Sequence, residues 1–333
     1  MSGTLKPSVL ILGGCGFIGS HVVDRFVAGG HAVRVLDPRP EAYRPPVPGV
    51  DYRYETLANP AAVAAACADR DLVIHLVSTT IPKTSNDDPI FDVQSNLVGT
   101  LSCLRQCVAA RVRKVVFLSS GGAVYGNPSA CPVPEDAPTQ PACSYGIVKL
   151  AIEKYLALFE LLHGLDYAIL RAANAFGPRQ NPLTGLGVVS AMLARIALGR
   201  PIEIWGDGRV VRDFLVVDDL AEAVYAAALQ PTPARLYNIG AGVGLSLLDV
   251  LARLEAVLGR PLEVKFLPGR AFDVQRIHLD ITRAREQLGW VPQVGFDAGV
   301  RQTWEFVRQA VGRAGAPTPA LPLTLPPPGS QRE

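Results

Sequence analysis

Short apolar runs alternate with amphipathic stretches along the first half of the chain. The runs Ser8–Leu12, Ala32–Asp37, Asp51–Tyr54, Leu72–Val77, Lys114–Ser119 and Tyr167–Arg171 are strand-sized and apolar almost throughout. Strands with one wet face would alternate; continuous runs are what parallel strands covered on both faces require. Helical periodicity fills the intervals at Phe17–Ala28, Pro60–Cys67, Ile90–Ala109 and Tyr145–Leu162. Repeated strand–helix units predict an α/β fold, a doubly wound parallel sheet with right-handed crossovers. After Arg171 the pattern loosens. Gly177-Pro178, Gly199, Pro201, Gly206 and Gly208 punctuate it, and shorter helices are predicted at Leu186–Leu198, Leu247–Leu258 and Thr282–Leu288. Strand Asp213–Val217, helix Leu220–Leu229 and strand Leu236–Ile239 read as returns to the sheet. The domain organisation predicted is thus residues 1–172 with returns at about 213–240, a smaller interleaved lobe of 173–212 and 241–312, and a Pro-rich tail of 313–333, expected to be disordered.

Composition narrows the class. Of 333 residues, 49% are hydrophobic and 19% charged, enough apolar mass for a sizeable core and too little charge for a disordered chain. Thirty-two Lys and Arg against thirty Asp and Glu leave a net charge of +2, so no basic excess points to nucleic acid. No apolar run is long enough to span a bilayer and no signal-peptide block opens the chain, so a cytoplasmic protein without a membrane partner is expected. The cysteines Cys15, Cys67, Cys103, Cys107, Cys131 and Cys143 are scattered without CxxC spacing, which predicts free thiols in a reducing compartment. The histidines are scattered too, and no metal site is expected. His75 reads as a satisfied core histidine, Cys143 as a thiol without a partner, Asp219 as the cap of a helix beginning at Leu220, and Gly206-Asp207-Gly208 as a turn.

Two constellations carry chemistry. The first strand runs into Gly13-Gly14-Cys15-Gly16-Phe17-Ile18-Gly19, and a helix begins at once. Glycines at this spacing allow a tight turn and close approach of backbone N–H groups to a pyrophosphate, which the helix N-terminus also attracts. Asp37 ends the second strand, where a carboxylate bonds ribose hydroxyls and repels a 2′-phosphate; this favours NAD over NADP, with Arg39 weakening the preference. The context is that of a Rossmann-type domain. In the second constellation Tyr145 and Lys149, four residues apart, share one helix face. A phenol of pKa about 10 is a poor base at neutral pH, but a neighbouring ammonium and an oxidised nicotinamide would favour the phenolate. Ser119-Ser120 ends the fifth strand, at the edge of the sheet that faces a ligand crevice.

The chain resembles the extended short-chain dehydrogenase/reductases, and within them the NAD-dependent nucleoside-diphosphate-sugar epimerases typified by UDP-glucose 4-epimerase. The resemblance spans residues 8 to 310. It rests on GGCGFIG at Gly13–Gly19, NLVGT at Asn96–Thr100, SSGGAVYG at Ser119–Gly126, SYGIVK at Ser144–Lys149, LRAANAFGPRQ at Leu170–Gln180, WGDGRVVRDFLVVDDLA at Trp205–Ala221, LYNIGAG at Leu236–Gly242 and LGW at Leu288–Trp290. It implies that Tyr145 is the catalytic base, that Lys149 bonds the nicotinamide ribose, and that a strand-five hydroxyl shares the substrate proton. Gly121 stands at the usual hydroxyl position, so Ser120 is assigned to that role, with Ser119 beside it. NAD contacts are implied for Gly13, Gly16, Phe17, Ile18, Gly19, Asp37, Leu76, Val77, Ser78, Asn96, Ser119, Tyr145 and Lys149. Substrate contacts are implied for Ser120, Asn174, Arg212 and Arg270, the arginines on the diphosphate. Ile277 matches a position that limits room around the sugar's 2-substituent, although an apolar strand residue would look the same. Glu55-Thr56 replaces the family's Gly-Asp after strand three, which removes one expected adenine contact. The family pairs the helices matching Ile90–Ala109 and Tyr145–Leu162, implying a homodimer.

The reaction is narrowed by what the segment before Tyr125 lacks. Dehydratases and decarboxylases of this group carry carboxylates there; this chain has Gly121-Gly122-Ala123. No Cys/His acid–base pair is visible near it either. The resemblance therefore implies epimerisation at carbon 4 of a nucleotide sugar through a transient 4-keto sugar, with UDP-glucose/UDP-galactose or their N-acetyl forms as substrates. The alternatives are a reductase or dehydrogenase of a nucleotide-linked keto sugar using NAD(P), and a non-catalytic dinucleotide-binding protein.

Overall fold

A computed structural model describes residues 6–182, 187–269 and 274–314. Arg270 and nearly all of the Pro-rich tail lie outside the described residues. The first lobe runs β1 (Val9–Leu12), α1 (Phe17–Ala28), β2 (Val33–Leu36), β3 (Asp51–Arg53), α2 (Pro60–Cys67), β4 (Leu72–His75), α3 (Pro89–Asp92), a π-helical turn (Val93–Val98), α4 (Gly99–Ala109), β5 (Lys114–Ser120), α5 (Gly121–Val124), α6 (Ser144–His163) and β6 (Asp166–Ala172). Then follow β7 (Asn174–Phe176), α7 (Val188–Ala197), β8 (Ile202–Trp205), β9 (Val211–Val216), α8 (Val217–Leu229), β10 (Leu236–Ile239), β11 (Gly244–Ser246), α9 (Leu247–Leu258), β12 (Val264–Leu267), α10 (Thr282–Leu288) and α11 (Phe296–Ala314).

Seven strands form one parallel sheet in the order β10-β6-β5-β4-β1-β2-β3. Strand order reverses between β1 and β4, the place where a doubly wound sheet opens a ligand crevice at its C-terminal edge. Two apolar layers cover the sheet. Val9, Ile11, Val35, Ile74 and Leu170 face α1 and α8, and Leu10, Leu12, Val73, Val115 and Phe117 face α2, α4 and α6. Burial on both faces explains why the strands read as unbroken apolar runs.

Two expectations about elements change. The single helix predicted over Ile90–Ala109 is interrupted by the π-helical turn, which carries Asn96. Of the predicted sheet returns, Leu236–Ile239 pairs with β6 and α8 packs on α1, but the Asp213–Val217 strand does not rejoin the sheet. As β9 it pairs in parallel with β7 and antiparallel with β11, forming the smaller lobe's own sheet. The sequence of β9 is apolar in either setting, so only its partners distinguish them. A second small sheet pairs β8 with β12.

Candidate active site

The glycine-rich turn after β1 has the close packing its sequence implies. Gly13 has φ +81°, a left-handed conformation that favours glycine. A Cβ on Gly13 would meet Val77 N at 3.3 Å and the Leu76 carbonyl carbon at 3.4 Å, so the turn lies against the backbone that follows β4. A Cβ on Gly19 would sit 2.0 Å from the Gly13 carbonyl oxygen. Gly16 caps α1 with no side chain, leaving the first amides, at Phe17, Ile18 and Gly19, to face a ligand. Asp37 leaves the end of β2, and its oxygens accept from Cys15 N at 3.1 Å and Arg39 N at 3.2 Å. Burial raises its carboxyl pKa, opposed by those two bonds. A cavity of about 180 Å³ beside Gly16 and Phe17 is also lined by Glu41, Tyr43 and Arg179. These residues fit a dinucleotide: a bare turn for the pyrophosphate, helix amides aimed at it and a carboxylate where a ribose would lie. Gly19→Ala is expected to abolish cofactor retention, because its methyl must displace backbone rather than a side chain; absorbance of the purified variant for bound dinucleotide checks it.

Ser78 follows Val77, and its hydroxyl donates to Thr80 O at 2.8 Å. The π-helical turn directs Asn96 back toward this loop: its Oδ1 accepts from Thr79 N at 2.9 Å, and its Nδ2 donates to Thr80 Oγ1 at 3.1 Å and Asp92 Oδ1 at 2.8 Å. Asn96 thus shapes the crevice wall after β4. Asp92, which sequence reasoning passed over, is fully buried and takes two more bonds, from Thr80 Oγ1 and Ser144 Oγ, both at 2.6 Å. It ties the cofactor-side loop to the first turn of α6. Asp92→Asn keeps one acceptor oxygen for Thr80 and Asn96 but turns the other, which accepts from Ser144, into a donor and removes the charge from all three bonds, so a loss of about 2 kcal/mol is expected. A urea titration measures it.

Tyr145 and Lys149 lie on the first two turns of α6, and the helix can approach α5 only because residue 146 is glycine. A Cβ there would stand 2.8 Å from Ala123 O. That approach brings Tyr145 to the end of β5, where the Ser120 hydroxyl pulls the pKa of its phenol down. Lys149 Nζ lies 5.7 Å from the Tyr145 ring centre and donates to Leu118 O at 2.9 Å. The pair of candidate hydroxyls at the end of β5 is resolved. Ser119 is turned away into the core, where its hydroxyl donates to Glu153 Oε1 at 2.5 Å. Only its backbone is left for the role expected of it toward NAD. Gly121 cannot host the family's hydroxyl as packed, since a Cβ would lie 2.6 Å from Leu279 Cδ1.

Glu153 was also missed. It is held by a buried ion pair with Arg171, Nη2 to Oε2 at 2.6 Å, and it keeps the Lys149 face of α6 electrically anchored. The signal was present: Glu153 lies four residues after Lys149, on the same face. Burial drives the Tyr145 phenol up to about 12, against the pull of Ser120. Burial likewise lowers Lys149 to about 8, with Glu153 and Asp92 opposing. Lys149 is therefore mostly an ammonium at neutral pH. At an effective dielectric of about 20, a unit charge about 6 Å away is worth about 3 kcal/mol, roughly two pKa units, which is the scale of help an ammonium on this face can give a phenolate. The balance to neutrality has to come from a second positive charge.

Across the crevice, Asn174 Oδ1 approaches the position a Gly122 Cβ would take to 3.9 Å, and Asn174 Nδ2 donates to Asp213 O at 3.2 Å. Arg212 is half-buried on β9 with Nη1 on Val211 O at 2.9 Å. The adjacent Asp213, pushed up to about 6 by burial, accepts from Ala241 N, Gly242 N and Leu279 N and holds the chain crossing there. Ile277 is 2% exposed in a cluster with Val124, Tyr125, Val133 and Leu279, a buried apolar residue in an irregular segment between isolated bridges rather than in a strand. Glu55 is exposed, away from a ligand-holding arrangement, and accepts weakly from Asn59.

Other expectations shift with tertiary contacts. Asp219 is not the helix cap: α8 begins at Val217, and the Asp219 carboxylate instead accepts from Gln293 N at 3.0 Å and Val294 N at 2.9 Å. His75 bonds Thr100 Oγ1 at 3.0 Å through Nε2, but its Nδ1 has no partner, and burial lowers its pKa to about 3. It is thus a neutral, half-satisfied core histidine. Three of the six scattered cysteines converge.

Sheet, glycine turn and Tyr–Lys pair together define a dinucleotide-dependent enzyme of the short-chain dehydrogenase/reductase type. Residues 9–240 match the model of the NAD dependent epimerase/dehydratase family, and the chain belongs to that family. It is 38% identical to the UDP-glucose 4-epimerase of Mycolicibacterium smegmatis, over 90% of this chain and 98% of that one. Among solved structures it resembles the UDP-glucose 4-epimerase of Thermotoga maritima with UDP-glucose, at TM-score 0.86 and 33% identity, covering 91% of this chain and 99% of that one. It also resembles a UDP-N-acetylglucosamine 4-epimerase from Methanobrevibacter ruminantium, at TM-score 0.86 and 27% identity, covering 92% and 100%.

Proposed function

We propose that this protein interconverts UDP-sugars epimeric at carbon 4, UDP-glucose and UDP-galactose in the first instance, using a tightly held NAD. The observation that carries this reading is the Ser120–Tyr145–Lys149 arrangement at the crevice edge, with no carboxylate in Gly121-Gly122-Ala123 to expel a hydroxyl. NAD supplies reversible hydride acceptance. Tyr145 phenolate takes the proton of the sugar 4-hydroxyl as hydride leaves carbon 4, and Ser120 relays or steadies that proton. Lys149 would bond the ribose of a bound nicotinamide and favour the charged form of the Tyr145 phenol. Arg212 and Arg270 hold the diphosphate, which serves as the pivot while the 4-keto sugar turns its other face. The proton then returns from Tyr145. Asn174 and Ile277 border the sugar, and both plain and N-acetylated hexoses are candidates. Incubating the purified protein with UDP-galactose and no added cofactor should yield UDP-glucose; conversion only with stoichiometric NADH would instead favour the reductase reading.

The working unit is a homodimer paired through α4 and α6. Ile90, Val98, Ile147, Leu158 and Leu161 are exposed large apolar residues on or beside those helices, a surface expected to seek cover. We place it in the cytoplasm, whose redox poise would keep its six free thiols reduced.

A further inference from the structure

Cys67 ends α2, and Cys103 and Cys107 stand four residues apart on the face of α4 that packs against α2. Their three Sγ atoms lie within 4.8 Å of one another, and all three residues are essentially inaccessible. Among the described residues no fourth His, Cys, Asp or Glu joins the group. Around it are Leu57, Val63, Leu104 and Val148, members of the same apolar cluster. The Arg34 guanidinium, which acts on Cys67, is committed elsewhere: it pairs with Asp51 at 2.7 Å, and its Nη1 donates to the carbonyls of Ala65, Ala66 and Ala68 at the end of α2.

We propose that Cys67, Cys103 and Cys107 form a three-thiolate site for a trivalent metalloid of the arsenite type. Soft sulfur donors select soft ions. Charge then chooses among them. Three thiolates around a monovalent ion leave −2, and around a divalent ion −1, in an apolar layer where the guanidinium that acts on Cys67, that of Arg34, is already paired with Asp51; such a charge is costly to bury. A trivalent centre leaves none and needs no fourth ligand. The exchange balances without a redox step: three As–O bonds of As(OH)₃ break, three As–S bonds form, and each thiol proton leaves with a hydroxyl as water.

The test uses the reduced full-length chain and sodium arsenite. Native mass spectrometry should show one arsenic gained with three hydrogens lost, and arsenic X-ray absorption should show three sulfur neighbours and no oxygen. Cys67→Ser and Cys103→Ala should each lose that species, while the double variant Cys131→Ser/Cys143→Ser keeps it. A shell of two sulfurs and one oxygen, undiminished binding in both core variants, loss in the double variant, or no retained arsenic overturns the site. Preferential retention of cadmium over arsenite from an equimolar mixture overturns the charge argument. Because the absorption measurement is made on the unaltered protein, misfolding of a core variant does not decide the outcome.

Discussion

Tyr145→Phe is expected to lower epimerase turnover by about 10³–10⁴ while NAD remains bound. The substitution removes one oxygen and keeps the ring, so the crevice wall and α6 stay in place. The lost oxygen is the group that accepts the sugar proton, and positioned general bases contribute about 10²–10⁴ in rate. The phenol sits far from a working pKa on its own, at about 12. Bringing it to neutrality takes roughly 7 kcal/mol, more than the roughly 3 kcal/mol that a single ammonium at about 6 Å is worth. A bound oxidised nicotinamide would supply the remaining positive charge, so that Tyr145 would act as a base only when a hydride acceptor is in place. Turnover of UDP-galactose by the variant, with bound cofactor measured after denaturation, checks both halves. Wild-type rates in a variant that retains NAD would remove Tyr145 from the mechanism.

Lys149→Met should move activity and stability in opposite directions. Lys149 falls from 10.5 to about 8 on folding because burial disfavours its charge. Between those two values the unfolded chain holds the proton that the folded one has released, so this group's contribution to stability rises with pH across that window. Below about 8 the whole cost of the buried ammonium is felt, roughly 3 kcal/mol. Methionine fills similar volume without charge and gives up the bond to Leu118 O, the contact over the Phe117 ring and the pull of Glu153 and Asp92. A net gain of about 1–2 kcal/mol at pH 7 is expected, shrinking toward zero or below by pH 10, as thermal melts of the cofactor-free protein across that range would show. Turnover should nonetheless fall by about 100-fold or more, since the phenolate loses its permanent cationic neighbour. Wild-type turnover should itself decline as pH rises past about 8, where Lys149 loses its proton. A variant that is both inactive and less stable at pH 7 would mean that Lys149 is anchored by more than the structure shows.

Both results depend on residues that local sequence made legible. Tyr145 and Lys149 share a face because helix periodicity puts them there, and Gly13, Gly16 and Gly19 lie where a strand must turn directly into a helix. The doubly wound sheet followed from apolar runs long enough to be strands and too unbroken to have a wet face. These are properties of neighbours within a few residues, which is the range over which backbone sterics and helical or strand period act.

The rest was decided by partners distant in the chain. Ser119 and Ser120 are indistinguishable as neighbours; Glu153 claims the first across 34 residues and leaves the second for Tyr145. Asp92 looks like a helix residue until Thr80 and Ser144 converge on it. Strand β9 has the composition of a main-sheet strand, yet it pairs with β7 and β11. Cys67 reads as isolated, and becomes one of three only when α2 packs on α4. A periodic pattern records which face of an element is buried, whereas the identity of what covers that face is a long-range choice made by packing, and it leaves no mark in the spacing of the residues that are covered.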